Sequence, residues 1–203
     1  MKRSGFSIIE VMLALAVISI AMTGFLSLAA SNVAAGKQTE QRYLGLELAK
    51  EGIEVVRNMR DTNWLIGCSY PGAADCRQWN SGLAQDKTYT AVPIFEYPDN
   101  KWSLSFVNTN IDACRDQGTC PVYKSEDFIY SGKNIGAKTE YSRLVEINQI
   151  CTVTNECGGD GICVSGESCN FGVMGLQVLS HVRWLSRGQV RSINLEERLY
   201  NWK

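Results

Sequence analysis

The sequence predicts an α+β chain, in which one long N-terminal helix is followed by an antiparallel β-sheet head. Two observations predict the helix: residues 11–30 carry no charge, and no proline occurs before Pro71. A third predicts the head, because apolar and polar residues beyond residue 61 alternate in short runs separated by turn-rich segments. The 203 residues leave room for one substantial domain of this kind.

The first part of the helix is apolar and long enough to span a membrane. Residues 11–30 would extend about 30 Å as a helix, which matches the hydrocarbon core of a bilayer. Lys2 and Arg3 precede this segment, and positive residues stay on the cytoplasmic side. The chain beyond about residue 35 is therefore expected outside the cytoplasm.

The helix becomes amphipathic over residues 31–60, where Leu44, Leu48, Val55 and Met59 lie on one stripe. This stripe predicts that the second part of the helix packs against the head. Four glycines interrupt the helix, and the sequence leaves open whether each is a hinge or a site of close packing: Gly24, Gly36, Gly45 and Gly52.

Three runs in the head show the alternation of half-buried strands. The residues that share a parity are Trp102, Leu104 and Phe106; Val145, Ile147, Cys151 and Val153; and Met174, Leu176, Val178, Val182 and Trp184. Residues 186–188 predict a hairpin turn after the last run. The parity of Val190, Ile193 and Leu195 is broken, which predicts a bulge in the final strand.

The cysteines predict disulfide bonds and an oxidising compartment, since their number is even and all lie beyond residue 60. They are Cys68, Cys76, Cys114, Cys120, Cys151, Cys157, Cys163 and Cys169. Local bridges are expected for Cys68–Cys76 and Cys114–Cys120, whereas the last four cysteines allow three pairings. A zinc site is disfavoured because no C-x-x-C occurs and His181 is the only histidine.

Glu10 is an ionisable residue among apolar neighbours at the start of the apolar segment. Near the middle of a bilayer such a side chain would cost about 2.5–3.5 kcal/mol to insert. Placement near the cytoplasmic headgroups would lower this cost. A secretory signal cleaved near Ala30 is another reading, although such a signal normally has no charge in its apolar region. A third possibility is a cationic partner for Glu10, because paired buried charges cost less than isolated ones.

The run Lys2-Arg3-Ser4-Gly5, followed by Phe6-Ser7-Ile8-Ile9-Glu10, resembles the cleavage and methylation segment of type IV prepilins and pseudopilins. The resemblance implies cleavage between Gly5 and Phe6 by a prepilin peptidase, and methylation of the new amine of Phe6. It further implies that Glu10 pairs with the N-terminus of a neighbouring subunit in a filament. The processing residues would then be Gly5 and Phe6, and the assembly residues Phe6 and Glu10.

The same resemblance divides the chain into four parts and implies a pilin-like fold. The four parts are a leader (1–5), a transmembrane and assembly helix (6–30), its amphipathic continuation (31–60) and an extracytoplasmic head (61–203). The C-terminal run 174–202 resembles that of PilV-type minor pilins. The implied function is a minor or accessory pilin that waits in the cytoplasmic membrane and enters a surface pilus or a periplasmic pseudopilus.

Three other functions remain open at this level: a pseudopilin of a type II secretion system, a tip adhesin and a DNA-uptake pilin. The formal net charge of −1 supplies no basic field, so nucleic acid is not indicated as a partner. No catalytic motif occurs, so an enzyme and a cofactor are not expected. Related pseudopilins bind calcium in a sheet loop, but residues 155–161 lack the alternating ligands of an EF-hand, which favours a solvated turn.

Overall fold

The computed structural model describes residues 7–67, 78–83, 89–96, 99–164 and 166–201. One helix, α1 (Ile8–Ile66), forms the N-terminal part. The chain divides into two compact units, Met1–Tyr43 and Leu44–Lys203, so the last part of α1 belongs to the head unit. The sequence placed the start of the head at residue 61, whereas the compact head unit already includes the part of α1 that packs on the sheet.

The described strands form one eight-stranded sheet in which every pairing is antiparallel. The elements are β1 (Thr90–Glu96), β2 (Lys101–Phe106), α2 (Ile111–Gln117), β3 (Pro121–Lys124), β4 (Tyr130–Ser131), β5 (Ala137–Cys151), β6 (Ile162–Cys163), β7 (Val173–Ser186) and β8 (Gln189–Tyr200). Along one edge, β5 pairs with β7, which pairs with β8; along the other it pairs with β3, β1 and β6. The predicted α+β class, a long helix followed by an antiparallel head, is confirmed.

The main core lies between α1 and one face of the sheet. Near Leu48 and Ala49 the helix packs on Tyr141, Val182 and Trp184. One or two turns further along α1, a second cluster continues the core. It consists of Ile53, Val56, Leu83, Val145, Ile147, Leu176, Val178 and Leu199. Because the strand residues of both clusters alternate along β5 and β7, the parity predicted for these strands is confirmed over their central parts.

Two of the four helix glycines allow α1 to lie close to the sheet. A Cβ on Gly52 would lie 2.5 Å from Oγ of Ser180, and one on Gly45 would lie 2.9 Å from the Trp184 ring. By contrast, nothing lies within 4 Å of a Cβ built on Gly24 or Gly36. Close packing is therefore the role of the later pair.

We expect Gly52→Ala to destabilise the head by about 1–3 kcal/mol, because the added methyl forces α1 away from β7. Gly36→Ala is the matched control in the same helix and should leave the melting of the head unchanged. Thermal unfolding of the full chain in detergent, followed by near-ultraviolet circular dichroism, measures both. Equal midpoints for the two variants would contradict the role of Gly52 in packing.

The opposite face of the sheet carries a second, smaller core under α2. Ile111 and Cys114 of this helix contact Val92 and Leu144 on the sheet, together with Cys120. The sequence analysis did not predict α2 and treated this region as strands and loops. Its signals were local: the side chain of Asn110 accepts a hydrogen bond from the Ala113 N–H, and Gly118 ends the helix in the left-handed conformation.

The predicted C-terminal hairpin is present, with Arg187 and Gly188 both at positive φ in its turn. The predicted bulge in β8 is wrong, because β7 and β8 pair without interruption from Ser186↔Gln189 to Gly175↔Tyr200. The parity looked broken because Val190 lies on the face opposite Ile193 and Leu195, where it is 46% exposed. Glu197 shares the helix-facing parity of Leu195 and Leu199. The Glu197 carboxylate forms an ion pair with Arg57 of α1, which accounts for a charged residue at that position.

A buried arginine connects α1 to the centre of the sheet. Arg143 on β5 shares the helix-facing parity of Val145 and is only 1% exposed. Its guanidinium forms an ion pair with Glu51 and donates hydrogen bonds to the carbonyls of Leu48 and Tyr130, each at 3.2 Å. Because the group is fully enclosed, these acceptors replace the water that it loses on folding.

Candidate functional site

The N-terminal half of α1 exposes an apolar surface. Ile8, Leu13 and Phe25 are 80%, 66% and 72% exposed, and the other large apolar side chains of this half are exposed as well. In the part of the chain that the structure describes, one helix is long and apolar enough to cross a membrane, and it contains this segment. Such a surface requires lipid or other protein chains around it.

Two uncharged polar side chains within this segment, Ser19 and Thr23, form hydrogen bonds with the helix itself. The Ser19 hydroxyl donates to the Leu15 carbonyl at 2.8 Å, and the Thr23 hydroxyl donates to the Ile20 carbonyl at 2.8 Å. Both bonds remain available in lipid, where unpaired polar groups are costly.

Glu10 lies in the first turn of α1 and is the only ionisable residue from residue 7 to residue 36. Its side chain is exposed, beside Ile9 and Val11. A carboxylate has no donor protons with which to bond the helix carbonyls, so Glu10 differs from Ser19 and Thr23 in needing an external partner. The site thus consists of one carboxylate at the start of an apolar helix.

The predicted cleavage residues, Gly5 and Phe6, lie outside the described residues. Residues 1–26, which include both, match the family model described as the prokaryotic N-terminal methylation motif. The match supports the type IV prepilin and pseudopilin family. No match to the chain was found among curated proteins or among solved structures.

The head that follows α1 contains disulfide bonds, as the sequence predicted. The structure pairs Cys114 with Cys120, which joins the C-terminal part of α2 to the start of β3. Beyond β5, it pairs Cys151 with Cys169 and Cys157 with Cys163, which selects one of the three possible connectivities. These two bridges lie side by side, with Sγ of Cys151 3.2 Å from Sγ of Cys163. Cys68 and Cys76 lie outside the described residues.

We expect loss of the Cys151–Cys169 bridge to cost more stability than loss of Cys157–Cys163. The sequence separations are 18 and 6, and the longer loop loses more chain entropy when it is closed in the unfolded state. Double Cys→Ser variants should lose about 3 and about 2 kcal/mol respectively. Thermal unfolding gives the order, and non-reducing peptide mapping checks the pairing. Free thiols at these positions in unreduced protein would contradict both.

The loop at 155–161, the candidate calcium site, does not fit that ion. Oε1 of Glu156 accepts a hydrogen bond from the Asn170 N–H, and Asp160 accepts one from the Ile162 N–H. Among described residues, the potential ligand atoms gathered around Glu156 are the sulfurs of Cys151 and Cys169, which are joined to each other. Calcium takes six to eight oxygen ligands. The arrangement is therefore that of a disulfide-tied turn.

His181 lies on the sheet face opposite α1, where the sequence predicted a solvent-facing residue. It is instead partly buried between strands, with Nδ1 3.0 Å from Oδ1 of Asn194 and Nε2 3.7 Å from Oε2 of Glu146. The side-chain interaction with the Glu146 carboxylate raises the pKa of His181, against an opposing effect of burial. The same interaction lowers the pKa of Glu146, and a hydrogen bond from Asn148 adds to this.

This pair makes stability depend on pH with a defined sign. The raised pKa of His181 means that its contribution is complete below about pH 6.5 and is lost as the pH rises through the pKa in the folded protein. The lowered pKa of Glu146 means that its contribution is present above about pH 4.5 and is lost in acid. The pair therefore stabilises the head most between these values.

We expect the melting midpoint of the wild type to fall more between about pH 6 and pH 8 than that of His181→Gln. No other imidazole contributes, because His181 is the only histidine of the chain. Calorimetry of both proteins at the two pH values measures the difference. Parallel pH dependences would show that the interaction with Glu146 does not stabilise the fold.

Three arginines on and beside the C-terminal hairpin, Arg183, Arg187 and Arg191, do not form a free basic patch. Arg183 forms an ion pair with Asp112 of α2, and Arg191 donates a hydrogen bond to the Gln189 side chain at 3.0 Å. Arg187 lies in the turn between β7 and β8. Arg183 therefore connects α2 to β7 as a structural contact.

Sequence reasoning missed Arg143, Glu51 and Glu146. A signal for Arg143 was present, because it shares the parity of Val145 and Ile147 and is thus an inward-facing charge. No local pattern indicated its partner Glu51, which lies 92 residues earlier in the chain.

Proposed function

We propose that this chain is a structural subunit, a minor or accessory pilin, of a type IV pilus-like filament. The observation that carries the proposal is Glu10, the single carboxylate at the start of an exposed apolar helix that follows a prepilin-type leader. In the proposed sequence of events, a prepilin peptidase cleaves between Gly5 and Phe6 and the new amine is methylated. The helix then leaves the membrane to pack among other subunits.

Charge neutralisation supplies the reason for this assembly. Cleavage leaves a cationic amine on Phe6, and Glu10 of a neighbouring subunit is a carboxylate at a similar depth in the apolar layer. Two opposite charges in a medium of low dielectric constant cost much less when paired than when separate. The pairing would also set the stagger between adjacent helices, because the surrounding aliphatic side chains attract one another without fixing a relative position.

Before assembly, the chain is held in the inner membrane by its apolar helix, and the disulfide-bonded head lies outside the cytoplasm in this proposal. Lys2 and Arg3 support this orientation, because basic residues remain on the cytoplasmic side. The three disulfides among described residues support it independently, since such bonds persist in oxidising compartments.

The second candidate is a pseudopilin of a type II secretion system, which the same N-terminal motif supports equally. The two candidates differ in where the mature subunit accumulates. A pilin is recovered in filaments sheared from the cell surface, whereas a pseudopilin remains in the periplasm. Fractionation of sheared filaments, periplasm and membranes, with antibody against the head, distinguishes them.

Intact-mass analysis of the mature chain tests the processing step. We expect a chain that begins at Phe6 and carries one additional methyl group. Gly5→Trp should remain as precursor in the membrane, because a side chain at this position blocks the approach of the peptidase to the backbone. Ser4→Ala is the control in the same leader and should be processed normally. Cleavage near Ala30, or none, would contradict the proposal.

A further inference from the structure

A cleft lies on the face of the sheet opposite α1, between the start of α2 and the strands β5 and β7. Its volume is about 540 Å³, within the range of small-molecule sites. The cleft is lined by Tyr89, Thr90, Asn108, Thr109, Asn110, Ile111, Leu144, Glu146 and His181. All of these belong to the head, so the cleft is separate from the assembly helix.

The side chains of Glu146 and His181 lie in this cleft, and Nε2 of His181 faces Oε2 of Glu146. Asn194 contacts Nδ1 of His181 at 3.0 Å, and Asn148 donates to Oε1 of Glu146 at 3.0 Å. These two amides orient the remaining atoms, Nε2 of the imidazole and Oε2 of the carboxylate. The 3.7 Å between them is longer than an ordinary hydrogen bond.

A hydroxyl group has the chemistry to bridge this gap. It accepts a hydrogen bond from Nε2–H of His181 and donates its own proton to Oε2 of Glu146. An ammonium group has no lone pair for the first bond, and a carboxylate or a fully ionised phosphate has no proton for the second. Because a protonated imidazole and an ionised carboxylate are together neutral, the pair favours a neutral ligand.

The surrounding walls suit a ring that carries several hydroxyls. Ile111 and Leu144, which are 7% and 1% exposed, form the apolar floor of the cleft. Asn108 is exposed at the cleft, and its amide both donates and accepts hydrogen bonds. Alternating apolar and hydrogen-bonding surfaces are the features of a sugar residue. We propose that this cleft binds a neutral sugar, with one hydroxyl bridging His181 and Glu146.

Because His181 is the only histidine, its imidazole protons report on the cleft without ambiguity. The experiment titrates the full mature chain, in a detergent without a sugar headgroup, with the methyl glycosides of glucose, galactose, mannose and N-acetylglucosamine. We expect at least one of them to shift the Hε1 resonance of His181 in a saturable way. Methyl phosphate and methylammonium serve as charged probes and should not bind saturably.

Two variants test the assignment. Glu146→Gln keeps the shape of the side chain but removes the charged acceptor, and it should weaken binding by about tenfold or more. Asn108→Ala changes an exposed residue and should weaken binding several-fold without loss of the fold. Glu126→Gln, the same change at an exposed carboxylate that does not line the cleft, should bind as the wild type does.

The proposal would be overturned if none of the glycosides shifted the His181 resonance in a saturable way. Water would then be the molecule that bridges Nε2 and Oε2. Preferential binding of methyl phosphate or methylammonium would overturn it as well. Unchanged affinity in both Glu146→Gln and Asn108→Ala, with their folds verified by circular dichroism, would show that the sugar binds elsewhere. These outcomes do not depend on filament assembly, because the titration uses the isolated chain.

Discussion

Glu10→Ala is expected to insert in the membrane, be cleaved and fold normally, yet enter filaments at least about tenfold less than the wild type. The physical reason is that, in the proposed assembly, removal of the carboxylate leaves the incoming amine of Phe6 buried without a counter-charge. Breaking a buried pair in this way costs about 3–5 kcal/mol. Immunoblots of sheared filaments, compared with membrane fractions, measure the effect.

Two further variants separate charge from general disturbance of the helix. Glu10→Asp keeps the charge with a shorter side chain and should give intermediate incorporation. Glu40→Ala removes an exposed carboxylate of α1 beyond the apolar segment and should assemble like the wild type. If Glu10→Ala were incorporated at the wild-type level, the helices would have to assemble through apolar packing alone.

Arg143→Ala should lower the free energy of unfolding of the head by about 3 kcal/mol. The substitution removes the partner of Glu51, leaves the Leu48 and Tyr130 carbonyls without their donor, and opens a cavity between α1 and β5. Denaturant unfolding of the full chain in detergent, followed by tryptophan fluorescence, measures the loss.

Arg115→Ala is the matched control, because Arg115 forms an exposed ion pair with Asp116 within α2. Its loss should cost less than about 1 kcal/mol. The double variant Arg143→Met with Glu51→Leu should recover part of the loss of Arg143→Ala, since apolar packing can replace a buried ion pair. Equal effects of Arg143→Ala and Arg115→Ala would show that the buried arginine has no special role.

Much of the fold was predictable because the signals are local. The absence of charge over residues 11–30 and of proline before Pro71 predicts the helix. Alternation predicts β5 and β7, and residues 186–188 predict the hairpin that joins β7 to β8. Glu10 was predictable as a candidate site for the same reason: a single charge in an apolar segment is visible without knowing any contact. The error in β8 arose because the apolar residue Val190 is exposed on the face opposite Ile193 and Leu195, and its exposure is not visible in the local pattern.

The head site was not predictable in this way. Glu146 and His181 lie 35 residues apart, on strands whose register brings His181 opposite Leu144 and so near Glu146. Neither residue has a sequence pattern that marks it. The cleft itself depends on α2, which the alternation of polar and apolar residues did not predict.

The sequence by itself determined the apolar segment of the helix, the position of the single carboxylate in that segment, the N-terminal methylation motif and the alternation of the main strands. These depend on composition and period, which are properties of neighbouring residues. Only the tertiary structure decided the pairing of the last four cysteines, the buried contact of Arg143 with Glu51 and the cleft around His181. Each depends on which distant residues meet, and that follows from the register of β5 with β7 and from the close approach of α1 at Gly52.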